Sequence, residues 1–228
     1  MLIVPNHHVI VPITNDIGIS AIGNSNFVAA TFRVDLFGDS ILCGRDPDLI
    51  DPECGCSPSD LSGAVPQPPN RLLEVFLPQF KLDVRSKCSG LSTSAQLLNG
   101  TDGVNTVWPT NTTGDIVVIN HGLNDCRFEV DVSEYKQNLK DLRKVIDETK
   151  EVVWLTPTKA RGLDTNPYAS AMRQVAAEYG DIVADANQIK DWMGELPDGT
   201  HPRQLGYSEL VELCLAPEVN NAIVKLIT

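Results

Sequence analysis

Four short stretches of this chain hold residue types that can do chemistry together. They are Gly38-Asp39-Ser40, Cys88-Ser89-Gly90-Leu91-Ser92-Thr93, Gly122-Leu123-Asn124-Asp125 and Asp198-Gly199-Thr200-His201-Pro202. Ser40 follows an apolar run (Val34, Leu36, Phe37) and a glycine, and Ile41 and Leu42 begin another apolar segment. A buried strand that stops at a glycine and hands over to a helix presents the next small polar side chain at the sheet's C-terminal edge. In open α/β sheets that edge binds ligands. A serine hydroxyl placed there becomes a useful nucleophile once an imidazole takes its proton. The imidazole needs its second nitrogen held, and an aspartate three residues earlier on a turn, as Asp198 stands to His201, can do that. Taken singly, each stretch has a plainer reading. Gly, Asp, Asn and Ser are ordinary turn residues, and His201 before Pro202 reads as a surface turn.

The elements that must position these stretches are read from periodicity. Strands are expected at about 32–37, 80–85, 115–120, 152–155 and 182–184, each short and apolar, as strands buried on both faces should be. Helices are expected at 72–77, around Ala95 to Leu98, at about 131–149, at about 167–179 and from Pro202 onward. The 131–149 segment carries Tyr135, Leu139, Leu142, Val145 and Ile146 on one stripe. Strands alternating with helices point to a parallel sheet covered on both faces. Right-handed crossovers then bring the loops after the first three strands to a shared edge. The 44–70 segment holds six prolines and reads as a long irregular loop. Residues 1–30 read as an N-terminal arm or short strands ahead of one domain, 31–228.

At 228 residues the chain is long enough to bury a core without disulfide support. A net charge of −12 argues against a nucleic-acid or anionic-membrane partner, which needs clustered Lys and Arg. Lys136 to Lys150 alternates in sign at helical spacing, the pattern of a solvated helix face. No apolar run is long enough to span a bilayer. The first residues lack a basic leader region, so no secretory signal is read from them. Localisation and oligomeric state stay open. The sequons at Asn99 and Asn111 carry meaning only in a secreted eukaryotic protein.

The six cysteines, Cys43, Cys54, Cys56, Cys88, Cys126 and Cys214, do not have zinc-site spacing, since Cys54-Gly-Cys56 lacks a matching second pair. Cys43, Cys88 and Cys126 lie two or three residues from Ser40, Gly90 and Asn124. Either a disulfide forms among them or they pack as buried thiols.

Together, in order and each at a strand end, GDS, SG, GxND and DxxH resemble blocks I, II, III and V of the SGNH (GDSL-type) hydrolases. The resemblance spans about residues 33–210. It implies a three-layer α/β/α, flavodoxin-like fold with about five parallel strands, and ester hydrolysis with no metal or other cofactor. It implies Ser40 as nucleophile, His201 as general base and Asp198 as the residue that orients His201. The oxyanion hole would be the N–H groups of Ser40 and Gly90 with the side-chain amide of Asn124. Asp39 and Asp125 are expected to hold loops through backbone hydrogen bonds. His121 reads as lining the cleft, while His7 and His8 have no assigned partner. The chain departs from the family pattern at Arg85, where many relatives carry asparagine, and at Leu91-Ser92-Thr93.

The family cleaves acyl groups from lipids, thioesters, sugars and polysaccharides. Polar stretches at 105–113 and 156–164 favour an acylated carbohydrate, with an acetyl ester the leading expectation. Trp108, Trp154 and Trp192 are candidates for stacking on sugar rings, although Trp154 lies within a strand and reads as core. The rival readings are a lipid or thioester acyl hydrolase, and a non-catalytic glycan-binding or adhesion module.

Overall fold

Five strands form one parallel sheet in the order β2-β1-β3-β4-β5: β1 (Thr31–Gly38), β2 (Lys81–Ser86), β3 (Ile116–Asn120), β4 (Glu151–Leu155) and β5 (Ile182–Ala184). The structure is a computed structural model describing residues 30–48, 63–106, 112–189 and 196–228. The expected arm lies almost wholly outside these residues.

Alternate strand residues feed two cores, as the period of two requires. Val34, Leu36, Ile116, Val118, Val153, Leu155, Ile182 and Ala184 face one side. There they meet α1 (Ser40–Cys43), α2 (Pro69–Phe76), α7 (Gln204–Leu210) and α8 (Ala216–Ile227). Phe37, Val117, Ile119, Val152 and Trp154 face the other side. They pack on α3 (Ser94–Asn99), α5 (Val132–Lys144) and α6 (Asn166–Tyr179). The β1-to-β2 crossover carries α2 on the first face, and the crossovers running the opposite way carry α3, α5 and α6 on the second. One handedness for parallel crossovers demands that division. The chain reverses direction between β1 and β3, which makes their C-terminal ends the switch point at which such sheets bind ligands. The short α4 (Leu123–Arg127) leaves β3 at that edge.

Three boundaries differ from the sequence expectation. Helix α2 starts at Pro69, earlier than expected, because proline at the first turn gives up an N–H that no intrahelical acceptor needs. Helix α5 ends at Lys144, and the chain then enters a turn closed by Asp147, which accepts from the Thr149 N–H. Val145 is thereby left exposed while Ile146 stays buried. The C-terminal helix is broken by a wide π turn at Val211–Leu215, just before Pro217, whose missing N–H forbids the regular bond there. Among the described residues of the 44–70 stretch, Arg45 bridges Ala64. No helix among the described residues is long and apolar enough to cross a membrane.

Candidate active site

Ser40 is the first residue of α1, at the C-terminal end of β1. Asp39 caps the helix, its Oδ1 accepting from the Ile41 N–H at 2.9 Å. Gly38 is required by a close approach, since a Cβ there would sit 2.9 Å from Leu42 Cβ and 3.0 Å from the Asn120 carbonyl. The strand-to-helix turn can therefore pack tightly against β3 and aim the Ser40 side chain along the sheet edge.

From the other end of the chain, His201 meets it. Ser40 Oγ lies 2.7 Å from His201 Nε2, and His201 Nδ1 lies 2.6 Å from Asp198 Oδ2. A carboxylate only accepts, so the ring proton sits on Nδ1 and Nε2 presents its lone pair to the serine hydroxyl. Asp198 Oδ1 accepts from the backbone N–H groups of Thr200 and His201, at 2.9 and 2.7 Å. Burial alone would raise the Asp198 pKa. The bonds from the His201 ring and these two N–H groups outweigh it and hold the carboxyl below its ordinary range. Burial pushes the His201 imidazole down, against the pull of Asp198, and the cations of Arg45 and Arg127 add to the depression. His201 is therefore neutral at neutral pH, the form that accepts a proton.

The loops after β2 and β3 complete the edge. The Ser89 N–H donates to the Gly38 carbonyl at 2.8 Å, which ties the loop holding Gly90 to the last residue of β1, two before Ser40. Asn124, buried at the start of α4, donates from Nδ2 to the Ser92 carbonyl at 3.1 Å and reaches Asp39 Oδ2 at 3.5 Å. Asp125 binds the Ser94 N–H and hydroxyl, so both expected loop-holding aspartates make backbone bonds. Asp39 is wholly buried. Desolvation raises its pKa to about 7, opposed by the Ile41 N–H and assisted by the nearby Asp125 charge.

Two arginines with no motif to mark them hold the His201 turn. Arg127 Nη2 donates to Thr200 Oγ1 at 2.8 Å. Arg161 donates from its backbone to the Gly199 carbonyl at 2.7 Å and from its guanidinium to the Leu196 carbonyl at 3.2 Å. Tyr207, whose hydroxyl donates to the Arg45 carbonyl, ties α7 to the loop after Ser40. Arg85 lies on β2 and pairs with Asp83 at 2.7 Å. Thr93 caps α3. The cysteines Cys43, Cys88, Cys126 and Cys214 carry thiols, so the disulfide alternative gives way; Cys43, Cys88 and Cys214 are buried, while Cys126 is half-buried. Trp154 is wholly buried, its indole N–H donating to Asp181, and is core. The 156–164 stretch is less open than expected, because Thr156 and Thr158 are buried and only Arg161, Gly162 and Asp164 face solvent fully. Trp108, Trp192, Cys54, Cys56, His7 and His8 lie outside the described residues. Among the described residues no three His, Cys, Asp or Glu side chains group as metal ligands.

Residues 36–208 match the GDSL-like lipase/acylhydrolase family. Among solved structures, the lipase/acylhydrolase from Enterococcus faecalis aligns with a TM-score of 0.64 at 20% identity, covering 83% of this chain and 96% of that one. Axe2, an acetylxylan esterase from Geobacillus stearothermophilus, aligns at 0.61 and 19% identity, covering 84% of this chain and 95% of its own. LAE5, an α/β hydrolase enzyme from the metagenome of Lake Arreo, Spain, aligns at 0.60 and 21%, covering 87% and 97%. At these identities the likeness is one of fold. Comparison with the curated proteins found no match.

Proposed function

The chain belongs to the GDSL-like lipase/acylhydrolase family, and from that premise we propose that it is a serine esterase that removes an acyl group, foremost acetyl, from a carbohydrate. The observation that carries the reading is the unbroken bond chain Ser40–His201–Asp198 at 2.7 and 2.6 Å. Ser40 Oγ attacks the acyl carbon as its proton passes to His201 Nε2. Asp198 holds the resulting imidazolium. The tetrahedral oxyanion is met by the N–H groups of Ser40 and Gly90 and by the Asn124 amide, where each donor is worth on the order of 10²–10³ in turnover. Collapse expels the sugar alkoxide, which takes the proton back from His201. Water, deprotonated by the same imidazole, then attacks the acyl-serine; the acyl–Oγ bond breaks, the carboxylic acid leaves and Ser40 Oγ takes the proton back from His201.

Support for a carbohydrate is the solvent-facing polar segment Arg161–Asp164 beside the His201 turn and the fold shared with Axe2, described as an acetylxylan esterase. A second reading, an ester with an apolar chain, is favoured by exposed Leu91, Phe128 and Leu205. These lie one residue past Gly90 and four past Asn124 and His201.

The deciding measurement sets acetate release from acetylated xylo-oligosaccharides against hydrolysis of short- and long-chain p-nitrophenyl esters. Faster turnover of long chains would reject the sugar ester. A fluorophosphonate that labels wild type and not Ser40→Ala separates the enzyme from an idle binding module. Absence of labelling would reject the enzyme.

A further inference from the structure

His121 lies at the C-terminal end of β3 beside Gly122, 1% exposed, in a bonding position that the proposed mechanism leaves unused. Its Nε2 is 3.1 Å from Ser92 Oγ. The Ser92 hydroxyl has one proton, and that proton goes to the Ser89 carbonyl at 2.8 Å. The imidazole must therefore be the donor, with its hydrogen on Nε2 and a bare lone pair on Nδ1, an atom with no hydrogen-bond partner among the described residues. Burial pushes the ring's pKa down to about 4, so it stays in this neutral form. The backbone of His121 is fixed as well, because Tyr135 Oη donates to its carbonyl at 2.9 Å.

Ser92 is the hinge of the proposed oxyanion pocket. Its carbonyl takes one proton of the Asn124 amide at 3.1 Å and so fixes the amide's orientation, while the other N–H reaches Asp39 Oδ2 only at a long 3.5 Å. Its hydroxyl closes the Ser89–Ser92 turn that contains Gly90. That turn needs closing, since Leu91 adopts φ 59°, a left-handed conformation unfavourable for a branched residue. Resting on the esterase reading above, we propose that His121 is a positioning residue that sets both the Gly90 N–H and the Asn124 amide of the oxyanion pocket through its single bond to Ser92.

The test compares His121→Phe, His121→Gln, Ser92→Ala and the double variant His121→Phe/Ser92→Ala on a p-nitrophenyl acyl ester. Phenylboronic acid serves as the tetrahedral probe. Its boron gains a bond to Ser40 Oγ, the serine proton passes to His201 and nothing leaves. Loosening a pocket without emptying it should lower kcat by about ten- to a hundredfold and leave KM within about twofold. Boronate affinity should fall by the same factor as kcat. Glutamine, which places an N–H at similar reach, should restore most of the loss, and the double variant should be no worse than either single one. Wild-type kcat and boronate affinity in folded His121→Phe would overturn the proposal, as would additive losses in the double variant. If phenylalanine prevents folding, the glutamine and Ser92→Ala comparison decides by the same criteria. Ser40→Ala separates the two levels of failure. Should it retain turnover, the esterase reading falls and this inference with it; should it be inactive while His121→Phe keeps wild-type kcat and boronate affinity, only the positioning role falls.

Discussion

Arg127 Nη2 lies 2.8 Å from Thr200 Oγ1, so the last turn of α4 grips the residue next to His201. The loop after β3 thus supplies Asn124 at its start and a guanidinium at its end. That cation lowers the pKa values of both His201 and Asp39. One short helix therefore orients the imidazole turn and biases the imidazole toward its neutral form.

Replacing Arg127 by methionine should move the acid limb of kcat/KM to higher pH. A positive neighbour disfavours imidazolium, so its loss raises the His201 pKa, and protonated His201 cannot act as base. The wild-type limb should fall below 6.5, the ordinary histidine value, because burial already depresses this ring. Thr200→Val removes the same hydrogen bond and keeps the charge, so its limb should stay in place. A pH–rate series on the three proteins checks this, and equal limbs would dismiss the electrostatic role.

Asp198→Asn should lower kcat by on the order of 10⁴, because an amide that donates to Nδ1 turns the ring to the wrong tautomer. The folded wild-type carboxyl titrates below its ordinary 3.8. Its contribution to stability is therefore present above that value and lost as pH falls through the lowered one. The stability difference between the variant and wild type, read by urea unfolding, should be seen at pH 7 and close toward pH 3.

The sheet was readable because β3 and β4 are buried on both faces, which leaves apolar runs such as Ile116–Ile119 unbroken by polar residues. The end of the chain was harder. One helix is expected from Pro202 onward, yet α7 begins only at Gln204 and the π turn at Val211–Leu215 interrupts the regular spacing before α8. Leu213 is 66% exposed while Leu210 and Leu215 are buried. The start of α2 was hidden by its own Pro68-Pro69, since proline marks both loops and helix starts.

Ser40, Asp198 and His201 were legible for a different reason. Aspartate and histidine come three residues apart on one turn, and the serine sits at a strand end, so each stretch is local in the chain. The bonds from His121 to Ser92 and from Arg127 to Thr200 span 29 and 73 residues, and no periodicity marks either partner. They exist only because crossovers deliver separate loops to one edge. Local patterning therefore exposes the chemical groups and hides the polar clamps that hold them.

Asp39→Asn should raise the melting temperature at pH 8 by several degrees. The Asp39 pKa is about 7 in the fold and 3.8 in its absence. The protonated fold is thus favoured at low pH, and stability declines as pH rises through the folded value. Asparagine keeps an oxygen for the Ile41 N–H and cannot ionise, so it avoids that decline. Scanning calorimetry at several pH values should show the gain shrinking toward pH 4. A gain independent of pH would mean that the carboxyl is not ionising in the fold.

Gly122→Ala tests how tightly the backbone between His121 and Asn124 is constrained. Gly122 has φ 126°, outside what an L-residue with a side chain tolerates, and a Cβ would sit 2.7 Å from Tyr135 Oη and 3.1 Å from Pro157 Cγ. Tyr135 cannot yield freely, because its hydroxyl holds the His121 carbonyl and its ring is wholly buried. The combined strain and clash should cost about 2 kcal/mol or more in unfolding free energy, measured by urea denaturation. Tyr135→Phe/Gly122→Ala removes the clashing oxygen and leaves the strained φ. It should recover part of the loss and not all of it, and full recovery would show that the tyrosine oxygen, not the backbone, demands glycine here.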